Sequence, residues 1–229
     1  MASRKELFPF NGKSNGKSSY PLPGRGNHFG LIEIINIDKI IKKELVPEYL
    51  KPENEYILFY HGTTSENAKA IVNSGINVKK GDPRTDFGQG FYVSKDFQYA
   101  RDFVKHSNEY TVLVFKLTLT FWDAQGSSGY VFKNDSDEFW EEFVAYNRRC
   151  NRGGKFAKKS KQLSQLELES KAFIQGHVCA RNLERKSGTS KQTLPKDPAI
   201  QVCIKTNELA KTFFSYLYAA FSYNNSLYK

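Results

Sequence analysis

From residue 56 onward, apolar runs of strand length alternate with amphipathic stretches of helical period. Tyr-Ile-Leu-Phe-Tyr (56–60) ends on His61-Gly62, which predicts a buried strand and its exit. The segment 63–76 reads as a helix: Thr64 or Ser65 can cap it, Ala68, Ile71 and Val72 form an apolar stripe, and Gly75 ends it. A polar loop (77–86) leads to a short strand, Gly90 to Ser94, and then to a helix with Asp96 near its start. Residues 110–122 alternate as a long strand, with Val112 and Val114 against Leu113 and Phe115. A third helix (135–150), capped by Asp135 or Ser136, puts Phe139, Trp140, Phe143 and Val144 on one face. Residues 171–180 and 199–206 read as strands with a long loop between them, and 207–223 as a closing helix. Residues 29–45 carry apolar positions that fit a strand or a helix start, broken by Pro47 and Pro52.

The first 28 residues lack that patterning and are rich in Gly, Ser, Lys, Asn and Pro, which predicts a flexible basic arm ahead of one domain over 29–229. Asn-Gly-Lys-Ser-Asn-Gly-Lys-Ser (11–18) is not a phosphate-binding P-loop: Gly12 stands one residue too close to Gly16, and no apolar strand precedes it. With 39% hydrophobic and 14% aromatic residues, the chain can fill a core. Its 34 Lys and Arg against 24 Asp and Glu leave a charge of +10, which favours an anionic partner such as nucleic acid, a nucleotide or an acidic protein face. The basic run Arg148–Lys161 could guide such a partner, although a solvated loop is the commoner explanation for such a run. Cys150, Cys179 and Cys203 are an odd set without metal-ligand spacing, so reduced thiols, no metal site and an intracellular address, cytoplasmic or nuclear, are expected. No stretch reaches the length of an apolar membrane span, and no membrane association is expected.

Thr-Asp-Phe-Gly-Gln-Gly-Phe-Tyr-Val-Ser (85–94) invites two quick readings. Its Asp-Phe-Gly lacks the other kinase motifs, and its glycines lack the third glycine and following helix of a dinucleotide fingerprint. What remains is a strand that delivers His61-Gly62 and a second strand that begins at Tyr92 behind two glycines. A histidine can bond a ribose hydroxyl, a glycine lets backbone groups approach a flat amide, and a tyrosine face can stack on an aromatic ring. Those demands match a nicotinamide and its ribose.

In this light Tyr-His-Gly-Thr (60–63), Asp-Phe-Gly-Gln-Gly-Phe-Tyr (86–92) and Phe-Trp-Glu-Glu-Phe-Val-Ala-Tyr-Asn-Arg-Arg (139–149) resemble the His–Tyr branch of the ADP-ribosyltransferase superfamily, over about residues 56–215. The resemblance implies an α/β fold of two small, mostly antiparallel sheets around an NAD cleft, with NAD as co-substrate. It implies His61 on the adenosine-side ribose, Gly62 on the carboxamide, Thr63 on a ribose, and Tyr92 stacked on nicotinamide. Gly88, Gly90 and Phe91 would line the site beside Tyr92, and Phe103, or else Tyr99, would close the other face of the ring. Arg84 would meet the pyrophosphate or remain an ordinary solvated arginine.

The family's late-strand glutamate falls on Gln201, which accepts a hydrogen bond from a ribose hydroxyl but carries no charge and takes no proton. Glu141, Glu142 and Glu169 are alternative acids, the first two better explained as a solvated face. Asn147 and Arg148 are expected to cap their helix rather than to shape the pocket. The resemblance therefore implies mono-ADP-ribosyl transfer to a protein or nucleic-acid acceptor, with His61, Tyr92 and Gln201 as the catalytic set and no metal. NAD hydrolysis, or a catalytically inactive NAD- or polyanion-binding module, remains the alternative.

Overall fold

In the computed structural model, the described residues are 17–21, 31–36, 54–132, 137–149, 168, 170–179 and 196–224. Among them, strands β1 (Lys17–Pro21), β2 (Leu31–Asn36) and β3 (Tyr56–Thr64) precede α1 (Ser65–Ser74). There follow β4 (Phe91–Ser94), α2 (Phe97–Val104), β5 (Glu109–Thr118), α3 (Leu119–Ala124), β6 (Gly129–Val131) and α4 (Asp137–Arg149). The chain closes with β7 (Phe173–Cys179), β8 (Lys196–Ile204), α5 (Asn207–Phe214) and β9 (Leu217–Asn224). The fold is mixed α/β with mostly antiparallel strand pairing, which agrees with the coarse class that the resemblance implies. The chain divides into two compact units, one of residues 1–76, 93–124 and 211–229, the other of 77–92 and 125–210.

In the first unit the strands run in the order β1-β2-β9-β5-β3-β4. β5 is central and buried on both faces from Tyr110 to Leu117, so its alternation does not separate core from solvent. β3 pairs with β5 along its whole length, from Tyr56↔Thr118 to Thr64↔Tyr110, whereas its pairing with β4 is the single bridge Tyr60↔Ser94. One face packs Leu58, Tyr60, Ala100, Val104, Val112, Val114 and Phe221. Phe59, Phe115, Trp122 and Phe213 form a second aromatic cluster, with Phe59 and Trp122 ring centroids 4.7 Å apart.

The helix ends follow their local chemistry. Thr64 Oγ1 accepts from Asn67 N–H at the start of α1, and Gly75 closes it at φ +83°. Asp96 Oδ1 accepts from Tyr99 N–H at 3.0 Å and starts α2.

Three expectations change. The strand expected to reach Trp122 stops at Thr118, whose Oγ1 accepts from Phe121 N–H and turns the chain into α3. The closing helix stops at Phe214, where Ser215 and Tyr216 N–H bond back to Thr212 and Phe213 carbonyls, and the rest is β9. Residues 17–21, within the expected arm, are a strand paired with β2. Most of the basic run Arg148–Lys161, the caps Asp135 and Ser136, the side chain of Glu142, and Glu169 lie outside what is described.

In the second unit β7 lies between β8, antiparallel, and β6, parallel. Helix α4 supplies Trp140, Phe143 and Val144 to a core with Phe87, Phe132, Ile174 and Cys203, the face its 3.6-residue period predicts. Trp140 Nε1–H donates to the His177 carbonyl at 3.1 Å, satisfying the one polar atom of a nearly inaccessible indole.

Candidate functional site

The sequence-predicted residues fall into both units, and each unit prepares its own share. In the first, β3 carries His61, Gly62 and Thr63 past the apolar stretch Leu58–Tyr60. His61 and Gly62 are half-buried and Thr63 is buried. The bridge to β4 lies at Tyr60, so these three residues follow the last paired position on that side of β3.

A Cβ on Gly62 would stand 1.8 Å from the Ala100 carbonyl oxygen. The missing side chain therefore admits α2 against β3, and any contact with a ligand amide falls to the Gly62 backbone. On α2, Ala100 and Val104 pack inward, while Phe103 is 53% exposed. Its neighbours are polar: Asp102 receives Gln98 Nε2–H at 2.8 Å and pairs with Arg101 at 3.3 Å and Lys105 at 3.4 Å. Below the strands, Ser65, Thr111 and Ser222 form a buried hydroxyl chain with contacts of 3.1 and 3.2 Å.

In the second unit, Phe91 and Tyr92 open β4 and the loop before them is tightly tied. Tyr92 Oη accepts from Phe87 N–H at 2.9 Å, donates to the Gly88 carbonyl at 2.8 Å and lies 2.8 Å from Thr85 Oγ1. Its ring stacks on Phe87, centroids 6.5 Å apart and 20° from parallel, and the residue as a whole is half-buried. Burial of the hydroxyl, with Cys203 beside it, pushes the phenol well above its usual range, so it stays neutral.

Gly88 adopts φ +75°, which favours glycine, and Asn147 Oδ1 fills the space its side chain would take. A Cβ on Gly90 would meet Cys203 Sγ at 2.3 Å and the Ile204 carbonyl oxygen at 2.7 Å. Both glycines thus admit neighbouring protein, whereas their reading beside nicotinamide requires a space for a ring. Arg84 is exposed, and its guanidinium forks onto Asp82 with two 3.0 Å bonds. That fork holds the Asp82 carboxyl below its usual range, and Arg84 would have to leave it to meet a pyrophosphate.

Gln201 lies on β8 opposite Gly176 of β7 and is 8% exposed. Its Nε2–H donates to Asp86 Oδ2 at 2.6 Å. Asp86 is the hub of this unit, taking Arg148 Nε–H on Oδ1 at 2.5 Å and the Cys179 backbone N–H on Oδ2 at 2.8 Å. Arg148 Nη2–H also reaches the Cys179 carbonyl at 3.1 Å. Asn147 Nδ2–H donates to the carbonyls of Phe143 and Asp86, and Lys205 Nζ to that of Phe87.

Asn147 therefore does bond within its helix, as expected, but Arg148 reaches out of it to the loop and β7. The sequence assigned Asp86 no role. Nothing local marked it: Asp86 follows Thr85 at the end of a polar loop, and the buried carboxylate finds its partner in Arg148 only through the fold. Glu141 is half-exposed and is not among the partners described for this network. Among the described residues, no group of three or more His, Cys, Asp or Glu is placed to hold a metal ion, and no helix is long and apolar enough to cross a membrane.

Comparison with curated proteins finds no match. A family model described as a protein of unknown function (DUF3990) matches residues 57–214, from β3 to the end of α5. That match covers more than half of the chain, and the protein belongs to the DUF3990 family.

Proposed function

We propose that the protein is an NAD-dependent mono-ADP-ribosyltransferase, with the two-sheet ADP-ribosyltransferase arrangement as its fold. The observation that carries this reading is Tyr92. Three polar contacts on its hydroxyl and the stack on Phe87 fix the ring before any ligand arrives, and the residue as a whole is half-buried. A pre-oriented ring of this kind stacks on a planar heteroaromatic such as nicotinamide at little ordering cost. The strand that delivers His61-Gly62 supports the same reading, since its edge beyond Tyr60 lies past the described bridge to β4. Phe103 offers a second, exposed ring.

In this reading NAD is a substrate. The bond between nicotinamide and ribose C1 breaks, and its electron pair leaves with the now neutral nicotinamide. His61 bonds the adenosine-side ribose, Gln201 Oε1 accepts from a hydroxyl of the cation-like ribose, and an acceptor lone pair then forms the new bond to C1. Gln201 accepts a hydrogen bond but removes no proton, so the site suits an acceptor that is already nucleophilic. The net charge of +10 favours acidic proteins or nucleic acids as that acceptor. The neutrality of Gln201 also favours a second reading, an NAD-binding module without turnover.

Incubation with NAD labelled in the adenylate moiety, with and without cell extract, separates these readings. Label on macromolecules supports transfer, and free ADP-ribose supports hydrolysis. Saturable binding with neither product leaves the binding module, and absence of binding sinks all three. Tyr92→Ala is expected to lower NAD affinity or turnover at least about tenfold, the loss of one aromatic stack. Full activity in that variant would remove Tyr92 from the site.

A further inference from the structure

The contacts around Asp86 bear on why residue 201 is a glutamine. Asp86 is 4% exposed, and its two oxygens face three donors: Arg148 Nε–H, the Cys179 N–H and Gln201 Nε2–H. A carboxylate only accepts, so the Gln201 atom 2.6 Å from Oδ2 has to be the amide nitrogen. The orientation of this amide follows from chemistry: nitrogen toward Asp86, Oε1 turned from it. A glutamate at the same place would set two carboxylates against each other in a buried setting, where one of them must hold a proton. A hydrocarbon there would leave one lone pair of Asp86 unmet, with Arg148 and Cys179 still bound.

We infer that Asp86 is a positioning residue that dictates an amide at position 201, making Gln201 a donor to the protein and, through Oε1, a neutral acceptor for a ligand hydroxyl. Gln201 is then a residue fitted to Asp86, not the remnant of a catalytic glutamate. The ligand half of this inference rests on the NAD reading; the Asp86–Gln201 half does not.

The test compares full-length wild type, Gln201→Glu and Gln201→Met, by thermal unfolding at pH 5.0 and 7.5 and by NAD turnover. At pH 7.5 Gln201→Glu is expected to melt roughly 5–10 °C below wild type, and Gln201→Met less far below. The paired carboxyls bind a proton more tightly folded than unfolded. The stability of Gln201→Glu is therefore largest at low pH and falls as pH rises through their raised pKa. At pH 5.0 its deficit is expected to shrink to that of Gln201→Met.

A Gln201→Glu variant that melts like wild type at pH 7.5, or whose deficit is the same at both pH values, overturns the inference. If Gln201→Glu is unfolded at pH 7.5, refolding at pH 5.0 is the expected result. Failure to refold there also overturns the inference, whether or not Gln201→Met folds. Where wild type turns over NAD, Gln201→Glu is expected to gain nothing, and a gain of about tenfold or more would show a glutamate site merely switched off. Where wild type neither binds nor cleaves NAD, the proposed function falls, while the pH dependence of melting still decides the role of Asp86.

Discussion

Gly62 and Cys203 show how single atoms decide this structure. The Ala100 carbonyl oxygen occupies the place of a Gly62 side chain, and backbone cannot swing aside as a flexible side chain can. Gly62→Ala is therefore expected to destabilise the protein by about 1–3 kcal/mol through overpacking between β3 and α2, measured by urea unfolding. Burial pushes the Cys203 thiol up to about 11, against the nearby Lys205 charge that lowers it; burial likewise pushes Cys179 up to about 11. A thiol whose folded pKa is raised favours the folded state fully below its unfolded pKa, and that contribution is lost as pH rises through the folded value. Stability is thus expected to fall between about pH 9 and pH 11. A flat urea midpoint across that window would contradict the burial of both thiols.

Element boundaries depend on caps that the sequence shows and on pairings that it does not. Asp96 and Thr64 are readable N-caps because their short side chains reach the next turn's N–H groups. Asp96→Ala is expected to cost about 1 kcal/mol in urea unfolding, with α2 fraying at its start in hydrogen exchange. The strand character of Leu217–Asn224 was not readable in the same way. Tyr218, Ala219, Ala220 and Phe221 continue the apolar pattern of α5, and β9 becomes a strand because β5 and β2 flank it. β5 misled for the opposite reason: buried on both faces, it has no polar side to mark where it ends. The site divides likewise. His61 at a strand exit and Tyr92 behind glycines were legible from local spacing, whereas Asp86, Arg148 and Gln201 are brought together from positions 86, 148 and 201 by tertiary packing alone.

At the scale of the whole molecule, each unit is assembled from separated stretches of chain, so sequence neighbours are poor guides to unit membership. The first unit takes its central strands from β3, β5 and β9, and the second is built from 77–92 and 125–210. Removal of residues 217–229 is expected to abolish cooperative unfolding of the first unit and leave an aggregation-prone product, followed by circular dichroism and size-exclusion chromatography. A truncated chain that stays soluble, with a wild-type melting transition, would contradict the central place of β9.

That place for β9 also bears on synthesis. The seat between β2 and β5 is filled by a segment that follows both of them in the chain, so both flanking strands wait with an edge exposed while the intervening chain is made. Folding of the first unit is then a late, long-range closure rather than a progressive one, and slow for that reason. A cell that makes this protein quickly is expected to need a holding chaperone until β9 arrives.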